Sequence, residues 1–172
     1  MKTIRTSLYL LSIVSLSIVF TSVFGALHNQ FSYSISNEFF RNFLFESFGV
    51  NEWNIKDERV LASIVGVLGA YWVGMLAGIV FAFVYLFLNA EQKLKKIVNA
   101  ILITLIFSML GSIIGLILGK YVPIENSKAF GDFRPINPRN YICADYMHTL
   151  SYYSGILGLI VGVSYLYKIH KK

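Results

Sequence analysis

The chain has 172 residues, of which 56% are hydrophobic and only 14% are charged, and its formal net charge is +6. Soluble domains carry about 25% charged residues, so this composition excludes a water-soluble globule, and the apolar excess excludes an intrinsically disordered chain. The single cysteine excludes an internal disulfide framework and a Cys-rich zinc site.

Four apolar stretches approach or exceed the roughly 20 helical residues that a bilayer core requires. They cover about residues 7–27, 60–90, 97–119 and 149–167. We therefore predict an all-α membrane protein, a single domain (1–172) folded as a four-helix transmembrane bundle with outer loops 28–59 and 120–148. The second stretch is longer than a perpendicular helix requires, so we expect it to tilt or to project at its Arg59 end.

The first stretch also resembles a signal peptide. Lys2 and Arg5 form a positive amino-terminal region, and Val23-Phe24-Gly25 supplies small residues where a peptidase cuts. Because apolar cores of signal peptides usually run about 7–15 residues, we expect this longer stretch to be kept as a membrane anchor. Cleavage before Ala26 would leave three spans.

Basic residues concentrate in three short segments on one side of the predicted bundle. Eight of them face one acid, Glu91, and they are Lys2, Arg5, Lys93, Lys95, Lys96, Lys168, Lys171 and Lys172. The positive-inside rule then places both termini in the cytoplasm, and we expect a bacterial inner membrane. The predicted partner is the lipid bilayer, with another membrane protein or a homo-oligomer as further candidates. Nucleic acid is not expected, because the positive charge is divided among three segments.

Small residues recur at helical spacing in spans two, three and four. Such stripes let helix backbones approach closely, and we expect the three spans to contact one another through them. The stripes are Gly66, Gly69, Gly74 and Gly78; Gly111, Gly115 and Gly119; and Gly155, Gly158 and Gly162. A homodimer face or a gating element of a channel is the alternative.

Polar groups within the spans are few. No Lys, Arg, Asp, Glu or His lies deep in a predicted span, which argues against an ion-coupled transporter. Span three carries a thin polar stripe, for which interhelical hydrogen bonds are expected rather than a pore. Its members are Asn99, Thr104, Ser108 and Ser112.

The first outer loop predicts a short extended segment followed by a short helix. Phe31, Tyr33 and Ile35 alternate with polar residues, as in a strand, and Ser36 is a candidate N-cap with Glu38 in the first turn. The helix would be amphipathic and would cover the outer end of the bundle. Its apolar face would comprise Phe39, Phe40, Phe43, Leu44 and Phe48.

The second outer loop is predicted to become helical at about Tyr141 and to lead directly into span four. Asp145 and His148 then share a helix face. Span one ends before His28 and span four begins after His148, so both histidines should lie near the same membrane surface.

Three interpretations compete for His28, Glu38, Asp145 and His148. The first is a hydrogen-bonded polar cluster in which Arg41 or Arg139 balances the acids, since partly buried polar groups need partners. The second is a metal site, because imidazole and carboxylate ligands suit zinc, iron or copper, although this spacing is permissive. The third is an acid/base site acting on a lipid or quinone headgroup, for which no nucleophile is evident.

One segment of the sequence resembles a family pattern. The residues His28-Asn29-Gln30, Tyr33, Ile35-Ser36 and Glu38-Phe39-Phe40, with Met147-His148 later in the chain, are similar to a group of small bacterial integral membrane proteins. That group carries His-Asp-Gln and Tyr-x-Ile-Ser-Pro-Glu-Tyr-Phe with a late histidine. The resemblance implies that the outer loop is the working part of the protein, and it implies no activity.

The sequence thus favours a non-enzymatic accessory, assembly or lipid-contacting membrane component with a structured outward-facing cap and no required cofactor. The alternative is a redox or hydrolytic protein that binds a transition metal or haem through His28 and His148. A small channel or carrier is the third hypothesis.

Overall fold

The computed structural model describes residues 2–88, 91–124 and 133–170. Helix α1 (Lys2–Ile35) is followed by α2 (Asn37–Phe39), a π-helical turn (Phe40–Leu44) and α3 (Phe45–Ser47), and then by the long helices α4 (Glu58–Phe87), α5 (Lys93–Tyr121) and α6 (Pro138–His170). Helices α1, α4, α5 and α6 are each long and apolar enough to cross a membrane. The predicted all-α fold, with four candidate spans and a short helix after the first, is confirmed.

A few predictions fall outside the described residues. They concern the carboxyl end of span two at residues 89–90, the middle of the second outer loop at residues 125–132, and the terminal lysines 171–172.

Helix α1 is longer than predicted. It continues without a break through residues 31–35, so the extended segment expected there is wrong. Three side chains beyond the predicted end of the span at residue 27 bind α4: Asn29 donates to the Ala62 carbonyl at 3.0 Å, Gln30 donates to the Ser63 hydroxyl at 2.7 Å, and the Tyr33 hydroxyl donates to Glu58. These bonds favour the helical conformation over the extended one that the weak alternating pattern predicts.

The helix after Ser36 forms as predicted, and Ser36 is its N-cap residue. The Ser36 hydroxyl accepts a hydrogen bond from the Phe39 N–H at 3.2 Å. Residues 36–50, here called the cap, bury Phe39, Phe40, Leu44, Phe45 and Val50 against the first turns of α4 and α6. The predicted apolar face is partly wrong, because Phe43 is 47% exposed and the π-helical turn instead directs Phe45 inward.

The four long helices alternate in direction and form two close pairs. Helix α1 packs along α4, and α5 packs along α6, while contacts between the two pairs are sparse. One end of the bundle is covered by the cap and is called the cap end. The other is the lysine end, where α5 begins at Lys93 and α6 ends at His170.

Glycines set the close approach within the α1–α4 pair. A Cβ on Gly66 would overlap the backbone of Gly25, and a Cβ on Gly74 would overlap Thr21. A Cβ on Gly78 would lie 2.9 Å from the Cα of Val14. Three of the four glycines of span two therefore face α1, so the expected contact of that stripe with spans three and four is mostly wrong. Gly69 is the exception, because a Cβ there would lie 3.2 Å from the Tyr152 hydroxyl of α6.

Within the α5–α6 pair the glycines meet the backbone of α6, as expected for spans three and four. A Cβ on Gly115 would collide with Tyr146 and lie 2.8 Å from the Met147 nitrogen, and one on Gly119 would lie 2.7 Å from the Cα of Cys143. Side chains at these positions would force the two helices apart.

Two apolar cores lie at opposite ends of the bundle. The core at the cap end joins the cap to Leu61, Val65 and Tyr141. The core at the lysine end includes Phe81 and Leu166. Between the two cores a cleft separates the helix pairs, and this cleft is the candidate site.

Candidate functional site

A cleft of about 480 Å³ separates the two helix pairs midway along the bundle. All four long helices contribute to its walls, and Leu44 and Phe48 of the cap close one end. Its lining is mostly apolar and includes Phe24, Val65, Leu105 and Leu159. No Lys, Arg, Asp or Glu among the described residues lines it.

The mouth of the cleft opens on the apolar flank of the bundle. Trp72, Leu76, Ile156 and Phe48 line the cleft and are also among the exposed hydrophobic side chains. In a membrane, this flank contacts lipid chains. A hydrophobic molecule could therefore enter sideways from the bilayer.

The polar end of the cleft holds two histidines in contact. The rings of His28 and His148 lie edge to face with their centroids 4.7 Å apart, as topology predicted. Their position is deeper than expected, because both lie inside long helices. His28 is seven residues from the end of α1 at Ile35 and His148 is ten residues from the start of α6 at Pro138, which correspond to about 10 Å and 15 Å along a helix.

His28 is fixed by two hydrogen bonds. The amide nitrogen of Asn29 donates to the Ala62 carbonyl, so its oxygen faces the His28 Nδ1 at 3.4 Å. This orientation assigns the proton to Nδ1. The His28 Nε2 then accepts a hydrogen bond from the Ser112 hydroxyl at 2.9 Å. Both ring nitrogens of His28 are thus satisfied.

His148 is held by one hydrogen bond and by aromatic rings of the cap. Its Nε2 lies 3.0 Å from the Ser32 hydroxyl of α1. Its ring packs against Phe39 and Phe40, with centroids 5.1 and 5.9 Å away. Within the described part of the chain its Nδ1 makes no hydrogen bond, and no unpaired side-chain nitrogen or oxygen is fully buried there. This Nδ1 therefore keeps some exposed surface, and the cleft that His148 lines is where a ligand would reach it.

Glu38 binds elsewhere. Its two carboxylate oxygens accept hydrogen bonds from the Ile136 and Asn137 N–H groups, each at 2.9 Å, just before α6 begins. This contact joins the cap to α6 and leaves Glu38 outside the histidine pair.

Asp145 is partly buried and makes no hydrogen bond or salt bridge to the described residues. The arginines bind other groups. Arg41 pairs with Glu58 through its Nε at 2.8 Å, and this hydrogen bond raises the pKa of the Arg41 guanidinium above its ordinary value. Arg139 donates to the Gly119 and Val122 carbonyls at the end of α5. Neither arginine balances Glu38 or Asp145.

The geometry brings together two of the four predicted metal ligands. No group of three or more His, Cys, Asp or Glu side chains that could hold a metal ion occurs in residues 2–88, 91–124 and 133–170. The metal site stays a prediction based on His28 and His148 alone. A haem between these rings would require them to separate, because they are already in contact.

The histidines' partners were not predicted from the sequence. Ser112 was expected to make an interhelical hydrogen bond, which is confirmed, but its bond to His28 was not foreseen. The alternating pattern predicts an extended segment at Ser32, whereas only a continuous helix puts Ser32 one turn after His28. A signal was present, because small or polar residues recur at offsets of three or four along this part of the chain and all are buried. They are Ser17, Thr21, Gly25, Asn29, Ser32 and Ser36.

Comparison with known protein families, with curated proteins and with solved structures finds no match to this chain. The similarity of its outer-loop residues to small bacterial membrane proteins is limited to that motif. The site itself is therefore the evidence for function.

Proposed function

We propose that this protein is a non-enzymatic, lipid-contacting component of a bacterial inner membrane, with both termini cytoplasmic. It would hold one amphipathic lipid molecule in the cleft between its helix pairs, with the lipid's polar end at the histidine pair. The observation that carries this proposal is the cleft itself, which is mostly apolar and has His28 and His148 in contact at one end.

The dimensions of the cleft support a ligand. Sites for small molecules typically have volumes of about 300–1,000 Å³, an apolar lining and a few polar groups that fix orientation. The cleft has about 480 Å³ and meets each of these criteria. Its mouth lies on the flank that faces lipid, so a membrane component is the natural occupant.

The arrangement gives less support to catalysis by a serine nucleophile. Each histidine has a serine hydroxyl at hydrogen-bond distance, as a nucleophile and base would. However, Ser32 is 0% exposed and Ser112 is 5% exposed, and neither lines the cleft. A buried hydroxyl cannot attack a bound lipid, so these serines orient the imidazoles instead.

Native mass spectrometry of protein purified in mild detergent tests the proposal. The unaltered chain should retain one bound amphiphile. Leu105→Trp places an indole in the cleft and should remove that amphiphile, because Leu105 lines the wall. Ile106→Trp adds the same ring at the neighbouring, outward-facing position and should keep it.

Equal lipid content in the two variants would overturn the proposal, provided that both unfold at similar temperatures. A mass of two chains without lipid would instead show that a second copy of the protein fills the cleft. A stoichiometric transition metal in the same spectra, lost on replacing His28 or His148, would favour the alternative metal-dependent function.

A further inference from the structure

We infer that the cleft selects an uncharged lipid whose hydroxyl or carbonyl group hydrogen-bonds to the Nδ1 of His148. This inference rests on the proposed function and narrows it from any amphiphile to one chemical class. Ionic headgroups such as phosphates and carboxylates are excluded from that class.

Charge complementarity is the first argument. The cleft has no Lys, Arg, Asp or Glu in its described lining, so an ionic headgroup would find no opposite charge there. Burying an unpaired charge in an apolar site costs far more than burying a hydroxyl that keeps a hydrogen bond. An alcohol or a carbonyl avoids this penalty.

The available hydrogen bond is the second argument. Both nitrogens of His28 and the Nε2 of His148 already have partners. The Nδ1 of His148 has none in the described residues and remains open to the cleft. One open imidazole nitrogen matches a headgroup with one or two polar atoms, whereas a phosphate needs several donors.

Preorganisation is the third argument. Ser32 fixes the Nε2 of His148 from one side, and Phe39 and Phe40 hold the ring from the cap. The imidazole therefore loses little freedom when a ligand binds.

Two brominated probes with the same chain test the inference: 11-bromoundecan-1-ol and 11-bromoundecyl phosphate. In a Trp53→Phe background the remaining tryptophan is Trp72, which lines the cleft, and bromine quenches it on contact. The alcohol should quench Trp72 saturably, at a concentration about tenfold below that of the phosphate. This comparison leaves the histidine site unaltered.

His148→Phe then keeps an aromatic ring beside Phe39 and Phe40 and removes both ring nitrogens. This substitution should weaken binding of the alcohol about fivefold, as expected for the loss of one hydrogen bond, and should leave binding of the phosphate unchanged. A reporter moved to the lipid-facing surface, Trp53→Phe/Trp72→Phe/Ile79→Trp, should show only unsaturable quenching from probe dissolved in the micelle.

The outcomes separate the two proposals. Saturable quenching by the phosphate, at a concentration equal to or lower than that of the alcohol, would contradict the inference that the ligand is uncharged. It would not contradict the proposal that the cleft binds a lipid. Saturable quenching by neither probe would contradict the proposed function itself. An unchanged alcohol response in His148→Phe would show that His148 does not bind the headgroup.

Discussion

At the scale of single residues, the closest contacts in the bundle are made by glycines. Gly115 lies against the backbone of Tyr146 and Met147, where even a methyl group would overlap. Gly115→Leu should therefore destabilise the protein by about 3 kcal/mol, the cost of severe overpacking. The thermal midpoint and the monodisperse fraction in detergent measure this loss.

The matched control is the neighbouring Ile114, which is half-exposed on the outer face of α5. Ile114→Leu should change the midpoint little, because that face contacts only lipid or detergent. A Gly115→Leu protein as monodisperse and as stable as Ile114→Leu would remove the close-packing argument for α5 and α6.

The meeting of His28 and His148 could be predicted from the sequence, but their hydrogen bonds could not. Their proximity follows from topology, because the end of span one and the start of span four must share one surface. The partners depend on helix rotation and on which helices neighbour each other. Nothing in the sequence marks Ser32 and Ser112 as partners of the histidines, because that role depends on how α1 and α5 are rotated about their axes. The cleft depends on the spacing of the two helix pairs, which no sequence pattern predicts.

At the scale of elements, the boundaries of α1 were the main error. Alternation of Phe31, Tyr33 and Ile35 suits a strand, but only three residues carry the pattern, and no proline or glycine lies between Ala26 and Ser36. Contacts with α4, such as that of Tyr33 with Glu58, decide the conformation. By contrast, the N-cap hydrogen bond of Ser36 was predictable, because it is a local interaction.

The cap depends on Glu38, which joins it to the start of α6. Glu38→Ala removes two charge-assisted hydrogen bonds at an exposed site, and we expect a local loss of about 1–2 kcal/mol. Hydrogen exchange should accelerate roughly tenfold at the amides of Ile136 and Asn137 and across residues 37–47. The α5–α6 contacts should keep their protection.

Glu46→Ala is the control for that experiment, because Glu46 is an exposed acid of the same segment whose side chain makes no hydrogen bond to the described residues. Its exchange pattern should match that of the unaltered protein. If Glu38→Ala and Glu46→Ala behave alike, the cap is held by its phenylalanines alone.

At the scale of the whole molecule, a four-helix bundle could be predicted, but the arrangement of its two pairs could not. Glycine stripes indicate that helices pack closely without indicating which helices. The structure pairs α1 with α4 and α5 with α6. The cleft lies between these two pairs, whose contacts with each other are sparse.

The placement of basic residues at one end of the bundle predicts the orientation of the whole molecule. Arg5, Lys93, Lys95, Lys96 and Lys168 all belong to the lysine end, because the four long helices alternate in direction. Lysines and arginines that flank spans closely are kept in the cytoplasm. The lysine end should therefore be cytoplasmic and the cap should be exported.

Reporter fusions check this orientation in the intact chain. Fusions after Glu91 and after Lys172 should report the cytoplasm, and a fusion near Lys128 should report the exported side. Replacing Lys93, Lys95 and Lys96 together by Gln should give a mixed orientation, since the charge that fixes the central connection is lost. Replacing Lys56, Arg59 and Lys120 by Gln, at the opposite end, should not. An exported Glu91 fusion in the unaltered chain would invert the assignment and place the cap in the cytoplasm.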